Sequence, residues 1–532
     1  MTERSSPHAD IQCSVNRRQA LAATAGAGVL SCLPLGKLPF TSQSAPGGLM
    51  SSAHAAPASP SAPALPHWLT LLGTSEQGSR DYAPEIEGTL PADLSGVLYR
   101  NGPGLFERDG YRKQHLLDGD GLVQRLSIRN GRAHYRNAFV QTPRFVAEQA
   151  AGRYKHASWT TRRPGGMLSN LMGGGIESQA GVTVYPVHGK IAARDESGHT
   201  FFVDPRTLAT TGQQKVSSLS GGYKAHAKLD PATNEWILAG QGFGPSMSLK
   251  VTIYRPTLEK VREFSFDAPR QVYIHDFLAT KSHIVFVLHP CHFSPFGFLA
   301  GMRSFSDSLT FNAEDGTVLA VVPKDGGAPR FFDVPGSFMW HALNAFEDKG
   351  EIIADIVAYD EPDHFIGDAP LFKTLMTGET GNAAFPGTIR RYVASLATGK
   401  AREEILDSGN HEFPMTDPRV QLERHRIGYF ACGGVGGINS GIKRMDMQTG
   451  ATQLFDFGAE HVQVGDPVFA PHDERSAAMD DGWLIAQCLD AKTERTFFAV
   501  FDAQTVDAGP LAKVWLTHHM PISFHGSWVG SA

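Results

Sequence analysis

The chain has 532 residues, 41% of them hydrophobic, enough for a large buried core. A formal net charge of -6 and an isoelectric point near 6.4 give no reason to expect a nucleic-acid partner. The 56 glycines and 33 prolines are spread along the chain, which is turn-rich β composition rather than disorder.

Residues 1–55 read as an export leader. Arg17-Arg18 precede an apolar, Ala/Gly-rich run over 20–35, the pattern of a twin-arginine signal, and Ala53-His54-Ala55 offers a small-residue cleavage site. The alternative is an N-terminal extension with an accidental arginine pair. The expected location is the periplasm or beyond it, with peripheral membrane contact, because no other run reaches the roughly 18 apolar residues of a membrane span. Residues 56–70, with an Ala/Pro/Ser-rich stretch at 57–66, read as a linker, and 71–532 as a single catalytic domain.

After the linker, Leu94-Ser95-Gly96-Val97-Leu98-Tyr99-Arg100-Asn101-Gly102-Pro103-Gly104 predicts a short strand broken by a Gly/Pro turn. Asp118-Gly119-Asp120-Gly121 between apolar runs predicts a hairpin, its aspartates serving as turn formers rather than cation ligands. Thr142-Pro143 predicts a helix start, with threonine as cap and proline in the first turn, and Gly152 its end. Gly173-Gly174-Gly175 predicts a flexible loop.

Past residue 182 the pattern becomes short strands that end in one kind of turn: Asp204-Pro205-Arg206-Thr207, Asp230-Pro231-Ala232-Thr233, Asp446-Met447-Gln448-Thr449 and Asp502-Ala503-Gln504-Thr505. Aspartate and threonine side chains hydrogen-bond a turn's backbone, which is why those residues recur. Further strands are expected at His283–Leu288, Glu351–Tyr359, 388–396 and 483–488. Repeated strand-turn units favour an all-β β-propeller over a pair of sandwiches. The apolar stretch around Phe296, Phe298 and Leu299 reads either as a covered loop or as a rim that dips into a membrane or guards a lipid tunnel. Outside the leader, Cys291, Cys432 and Cys488 are odd in number and widely spaced, so neither a disulfide framework nor a zinc site is expected.

Of the 22 histidines, four lie in apolar, strand-like contexts: His226, His275, His341 and His525. They are too far apart for a helical pair or an H-E-x-x-H motif. Only convergence of separate blades could bring them together, and each taken alone is more often a satisfied core residue.

The chain resembles the carotenoid cleavage oxygenases, and the bacterial apocarotenoid oxygenase-like branch in particular. The likeness rests on Arg100-Asn101-Gly102-Pro103, on His115 through Gly121, on His275-Asp276-Phe277, on His341 with Asn344-Ala345-Phe346-Glu347, and on Phe524-His525-Gly526. It implies a seven-bladed β-propeller with helices and loops capping the iron-bearing face, and Fe(2+) held by His226, His275, His341 and His525. It implies that Glu196, Glu412 and Asp466 buttress those histidines. Asp466 stands where the family usually has glutamate, so a bridging water is expected between it and its histidine. Phe296, Phe298 and Leu299 are implied at a membrane-facing tunnel mouth. The implied reaction is cleavage of a conjugated C=C bond of a carotenoid or apocarotenoid by O2, giving carbonyl products, in a monomer with an apolar substrate and no nucleic acid. Stilbenoid or phenylpropenoid cleavage is the alternative within the family, although its members tend to carry a lysine where Asp195 precedes Glu196. Isomerohydrolase chemistry is a third option. A non-catalytic lipid-binding propeller is the rival of another class, against which the histidines and glutamates argue.

Overall fold

The computed structural model describes residues 66–531, except 77, 197, 215–221, 474, 475 and 477. The expected leader and most of the linker lie outside these residues. The linker's last residues overlap a 3-10 turn, His67–Gly73, whose Leu69 and Leu72 are buried.

Among the described residues the strands assemble into seven antiparallel sheets of four or five strands, the blades of a propeller. Six of the inner strands head their blades in chain order: Thr183–Val187, Tyr223–Leu229, Phe277–Ala279, Phe338–Asp348, His411–Met415 and His461–Pro471, for blades 2 to 7. Blade 1 is closed differently. Its inner strand, His525–Gly530, comes from the end of the chain and pairs with Gly96–Leu105, putting Asn101 opposite His525. Blade 7 takes its outer strand, Glu85–Gly88, from the start of the domain, paired with Ala512–Trp515. Two clasps therefore tie the two ends of the domain into adjoining blades.

The core lies between blades. Ile253 of blade 3 packs in one cluster with Ile284 and Phe286 of blade 4, while Val285 and Val287 on the other face of the same strand pack toward Ala354 and Ile356 of blade 5. A strand buried on both faces reads as a continuous apolar run, which is how His283–Leu288 is legible without alternation.

The aspartate turns form as their chemistry requires. Asp204 Oδ1 accepts from Arg206 N at 2.9 Å and Thr207 N at 2.7 Å, and Asp446 Oδ1 from Gln448 N at 2.9 Å and Thr449 N at 3.1 Å. With Asp502 these turns join the third and fourth strands of blades 2, 6 and 7, whereas Asp230 turns the chain between the first two strands of blade 3. The helix Pro143–Ala151 is capped by Thr142, whose Oγ1 accepts from Phe145 N at 3.0 Å, and is ended by Gly152 at φ 64°.

Two expectations need correction. The strand at Arg100 is not broken: it runs Gly96–Leu105, and Gly102 serves a close approach, since a Cβ there would lie 2.6 Å from Ile522 O. The segment around Asp118 and Asp120 is not a hairpin but a tucked turn leading into Asp120–Arg129, its carboxylates buried against Thr161 and Arg108. Burial required partners, and distant residues supply them.

Candidate metal centre

Each blade contributes one polar side chain to a single point. Blades 1, 3, 4 and 5 give His525, His226, His275 and His341; blades 2, 6 and 7 give Glu196, Glu412 and Asp466. Regular strand alternation would not aim all of these inward. The ladders shift register between Tyr223 and Ala227, between Met339 and Asn344, between Glu412 and Met415, and between Val464 and Val468. Bulges at these places re-aim His226, His341, Glu412 and Asp466. Phe413 shows the accompanying strain: it holds φ 49°, unusual for a bulky residue, and lays its ring on His341 with centroids 5.1 Å apart.

The four histidines meet. One ring nitrogen of each lies within 4.8 Å of all the others, and His226 Nε2 is 3.1 Å from His275 Nε2. Their outer nitrogens face oxygens. His341 Nδ1 lies 2.5 Å from Glu412 Oε2, His275 Nδ1 3.0 Å from Glu196 Oε1, and His525 Nδ1 3.0 Å from Asp466 Oδ1. A carboxylate on Nδ1–H fixes the tautomer and leaves the Nε2 lone pair for the centre. His226 differs: its Nδ1 is 3.9 Å from Asp276 Oδ1, too far for a direct bond.

Electrostatics keep the set ready for a cation. Burial, reinforced by the neighbouring imidazoles, pushes His226 well below its ordinary pKa. Burial also lowers His275 and His525 despite their carboxylates. At His341 burial is outweighed by Glu412, and the pKa rises. Glu196 is ionised against the burial penalty, held at about 2 by Lys224 and then His275. Buried Nε2 acceptors that face one another with their N–H groups turned outward offer converging lone pairs to a cation. The 3.1 Å His226–His275 separation is that of adjacent nitrogens each about 2.1 Å from one ion. The residues fit a first-row divalent metal bound through imidazole.

Asp466 reaches His525 directly, contrary to the expected bridging water. The backbone explains how. Asp466 N donates to Phe524 O at 3.0 Å, so blade 7 approaches the chain entering blade 1 closely enough for the shorter side chain. Gly465, at φ 68°, permits this; a Cβ there would lie 1.8 Å from Phe524 O. Arg100, fully buried, donates to Asp466 O at 2.8 Å and Phe524 O at 3.1 Å and locks the junction. The quoted motif around Arg100 thus supports the site from behind. So does the Asn344 to Glu347 run: Asn344 Nδ2 donates to Val420 O and Glu423 O, and Glu347 Oε1 accepts from Ser282 N, tying blade 5 to the blade 6 connection and to blade 4.

Beside the histidines lies an apolar cavity of about 50 Å³, walled by Trp159, Trp340, Phe372, Phe413, Leu117 and Ile522, with His275, His341 and His525 at its floor. These walls come largely from connections between strands, which form the cap. A second, larger channel of about 800 Å³ reaches His226, His341 and His525, and its lining includes polar inner-strand residues such as Lys228, Asn344 and Ser527. From the cavity a series of ring contacts leads outward: Trp340 to Phe365, Phe365 to Trp159, Trp159 to Phe305, Phe305 to Phe298.

At the outer end Phe296 is 76% exposed and Leu299 42%. They sit beside a second exposed apolar segment with Leu168 at 75% and Met172 at 74%. Phe298, expected on the same rim, is half-buried there. In the short helix Pro295–Leu299 its ring faces Phe293 and Phe305 and closes on Gly173.

Sequence reasoning did not single out Lys224, Tyr273, Asp276 or the aromatic walls as parts of the site. Tyr273 Oη lies 3.1 Å from His275 Nδ1, and Asp276 accepts from Ala342 N at 3.1 Å while pairing with Lys228. Their proximity to His226 and His275 in sequence was the available signal. Asp195 is buried and turned away, accepting from Ser178 Oγ at 3.0 Å and Ala180 N at 3.0 Å.

Comparison with known proteins agrees with this arrangement. The model of the retinal pigment epithelial membrane protein family, that of the carotenoid cleavage oxygenases, matches residues 74–530. The chain belongs to this family. It is 28% identical over 477 residues to apocarotenoid-15,15'-oxygenase of Synechocystis sp., covering 87% of this chain and 96% of that protein. Resveratrol cleavage oxygenase 1 of Aspergillus fumigatus is 26% identical, with 84% and 91% covered. The solved structure of cobalt-substituted Synechocystis apocarotenoid oxygenase superposes with a TM-score of 0.80 at 27% identity, covering 87% of this chain and 98% of that one.

Proposed function

We propose that this protein is an iron(II)-dependent dioxygenase that cleaves a conjugated C=C bond of an apocarotenoid to two carbonyl products. The observation that carries the reading is the juxtaposition of four buried histidines, three of them facing carboxylates, with a cavity walled almost wholly by hydrocarbon and aromatic rings. His226, His275, His341 and His525 would hold the metal, and iron, when bound, supplies the activation of O2. The rest is the work of the chain. Glu196, Glu412 and Asp466 hold the imidazoles in orientation. Trp159, Trp340, Phe372 and Phe413 confine an extended apolar chain beside the histidines and keep water from it. At about 50 Å³ the cavity admits only a slim segment, so the surrounding rings must shift to take a polyene.

Among the relatives are enzymes named for phenolic substrates. The cavity here is lined by no lysine or tyrosine that could meet a phenol, and Asp195 is committed elsewhere. The apolar reading is therefore favoured. The exposed Phe296, Leu299, Leu168 and Met172 fit peripheral attachment to a bilayer, the source of an apolar substrate. The leader's arginine pair supports export by the twin-arginine route.

The test is to incubate iron-loaded protein with apocarotenoids and hydroxystilbenes and to weigh the products. Paired aldehydes or ketones from an apocarotenoid are expected. Cleavage of hydroxystilbenes alone would replace the substrate class. Stoichiometric binding of a polyene with no product from any substrate would leave a lipid-binding propeller.

A further inference from the structure

The three carboxylates that face the histidines are not equivalent. Glu412 Oε2 accepts from Phe413 N and faces His341 Nδ1, each at 2.5 Å, and among the described residues no lysine or arginine forms an ion pair with it. Asp466 Oδ2 accepts from Gly526 N at 3.0 Å, and Arg100 beside it donates to main-chain oxygens. Of the three, Glu196 is the one that forms an ion pair with a lysine or arginine among the described residues. Its Oε2 is ion-paired with Lys224 Nζ while its Oε1 faces His275 Nδ1 at 3.0 Å, and the side chains of Lys224 and Glu196 are each only 7% exposed. The ammonium is held from another side by the Tyr273 ring, 4.7 Å from its centroid. Tyr273 Oη in turn stands 3.1 Å from His275 Nδ1. Neither Lys224 nor Tyr273 lines the cavity, so this lysine is placed behind the histidine and not toward substrate.

We propose that Lys224 is a positioning residue that draws the Glu196 carboxylate away from His275 and so makes His275 a weaker donor than His341 and His525, the other two histidines that face a carboxylate. A buried carboxylate transmits electron density to a metal through the imidazole N–H it accepts from. An ammonium on its other oxygen draws that density away, and its own positive charge, screened little inside the protein, opposes a divalent ion nearby. Both effects have the same sign. The three carboxylate-facing histidines are thereby graded, strong at His341 and weak at His275.

The inference rests on the metal reading above and is tested with cobalt(II), whose visible spectrum reports its ligands. Lys224→Met removes the charge and keeps the length. It is expected to shift the cobalt bands and to slow cobalt loss to a chelator by about tenfold, within the range for changes to outer partners of metal-bound histidines. Lys224→Arg should stay within twofold of the parent. A Lys224→Met protein with the parent's spectrum and release rate overturns the proposal, as does faster release.

Losing one partner of a buried pair can unfold a protein, so the second arm uses Glu196→Gln alone and with Lys224→Met. In the Glu196→Gln background only the direct effect of the lysine's charge remains, so adding Lys224→Met there should change release by clearly less than tenfold. A further change of the full tenfold in that background refutes the route. Failure of the parent chain to bind cobalt would sink the metal reading itself, a result distinct from any of these.

Discussion

Replacing Asp466 by asparagine isolates what its charge does. The two side chains have nearly the same shape. Asp466 Oδ1 lies 3.0 Å from His525 Nδ1; Oδ2 lies 3.2 Å from that nitrogen and 3.0 Å from Gly526 N. Both oxygens therefore face N–H donors. An amide has one acceptor and one donor end, so in either orientation its NH2 meets an N–H. The escape is for the imidazole to take the other tautomer, which puts a hydrogen on Nε2, where a metal needs a lone pair. The surrounding junction should persist, because Arg100 bonds Asp466 through its main-chain oxygen and Asp466 N still reaches Phe524 O. The loss is then one charge-assisted hydrogen bond, about 1.5–3 kcal/mol, equivalent to roughly 10- to 100-fold in affinity. The assay is titration of metal-free protein with cobalt(II) against a competing chelator, with circular dichroism to verify the fold. A folded Asp466→Asn protein that binds cobalt within twofold of the parent would refute the reasoning, since His525 would not then depend on Asp466 for its orientation.

Other outcomes follow from the same contacts. Glu412→Ala should weaken metal binding at least as much as Asp466→Asn, because Glu412 holds the shortest of the three contacts to a histidine, at 2.5 Å; a milder effect in the same titration would contradict this. His115 and His364 are neutral in the fold, burial depressing them to about 4 and about 3. Unfolded, they protonate near pH 6.5 and bind more protons than the native state, so their stabilisation is full above that pH. Each should remove up to about 1.4 kcal/mol per pH unit as pH falls toward its folded value. Denaturant unfolding at pH 7 and pH 5 should reveal the loss, and His364→Gln should lessen the difference; an unchanged difference would exclude His364 as a contributor. Phe296→Asp with Leu168→Asp should cut sedimentation with phospholipid vesicles severalfold while leaving cleavage of detergent-dispersed substrate intact, and undiminished sedimentation would place the membrane contact elsewhere. Changing Arg17 and Arg18 to lysine should keep the protein in the cytoplasm on cell fractionation, and continued export would rule out the twin-arginine route.

The fold was legible in the sequence where the determinant is local. Aspartate turns bond their own backbone, Thr142 caps its own helix, and strands buried on both faces show as runs of Ile, Val and Phe. Those signals establish an all-β chain of repeated units. Four histidines in apolar contexts, placed by a family resemblance, marked the residues that meet at the centre. The tertiary structure decided how they meet. Bulges in the inner strands turn His226 and His341 inward, and a bulge is not visible in one strand without its partner. Asp466 reaches His525 because Gly465 and Arg100 bring two blades together across most of the chain's length. Phe298 sets its ring against Phe293, Phe305 and Gly173, contacts that the local sequence does not show. Lys224 gained its role only when folding set it against Glu196 from the neighbouring blade. Residue types and local turns are written in the chain, but distances between blades depend on the closure of the whole ring.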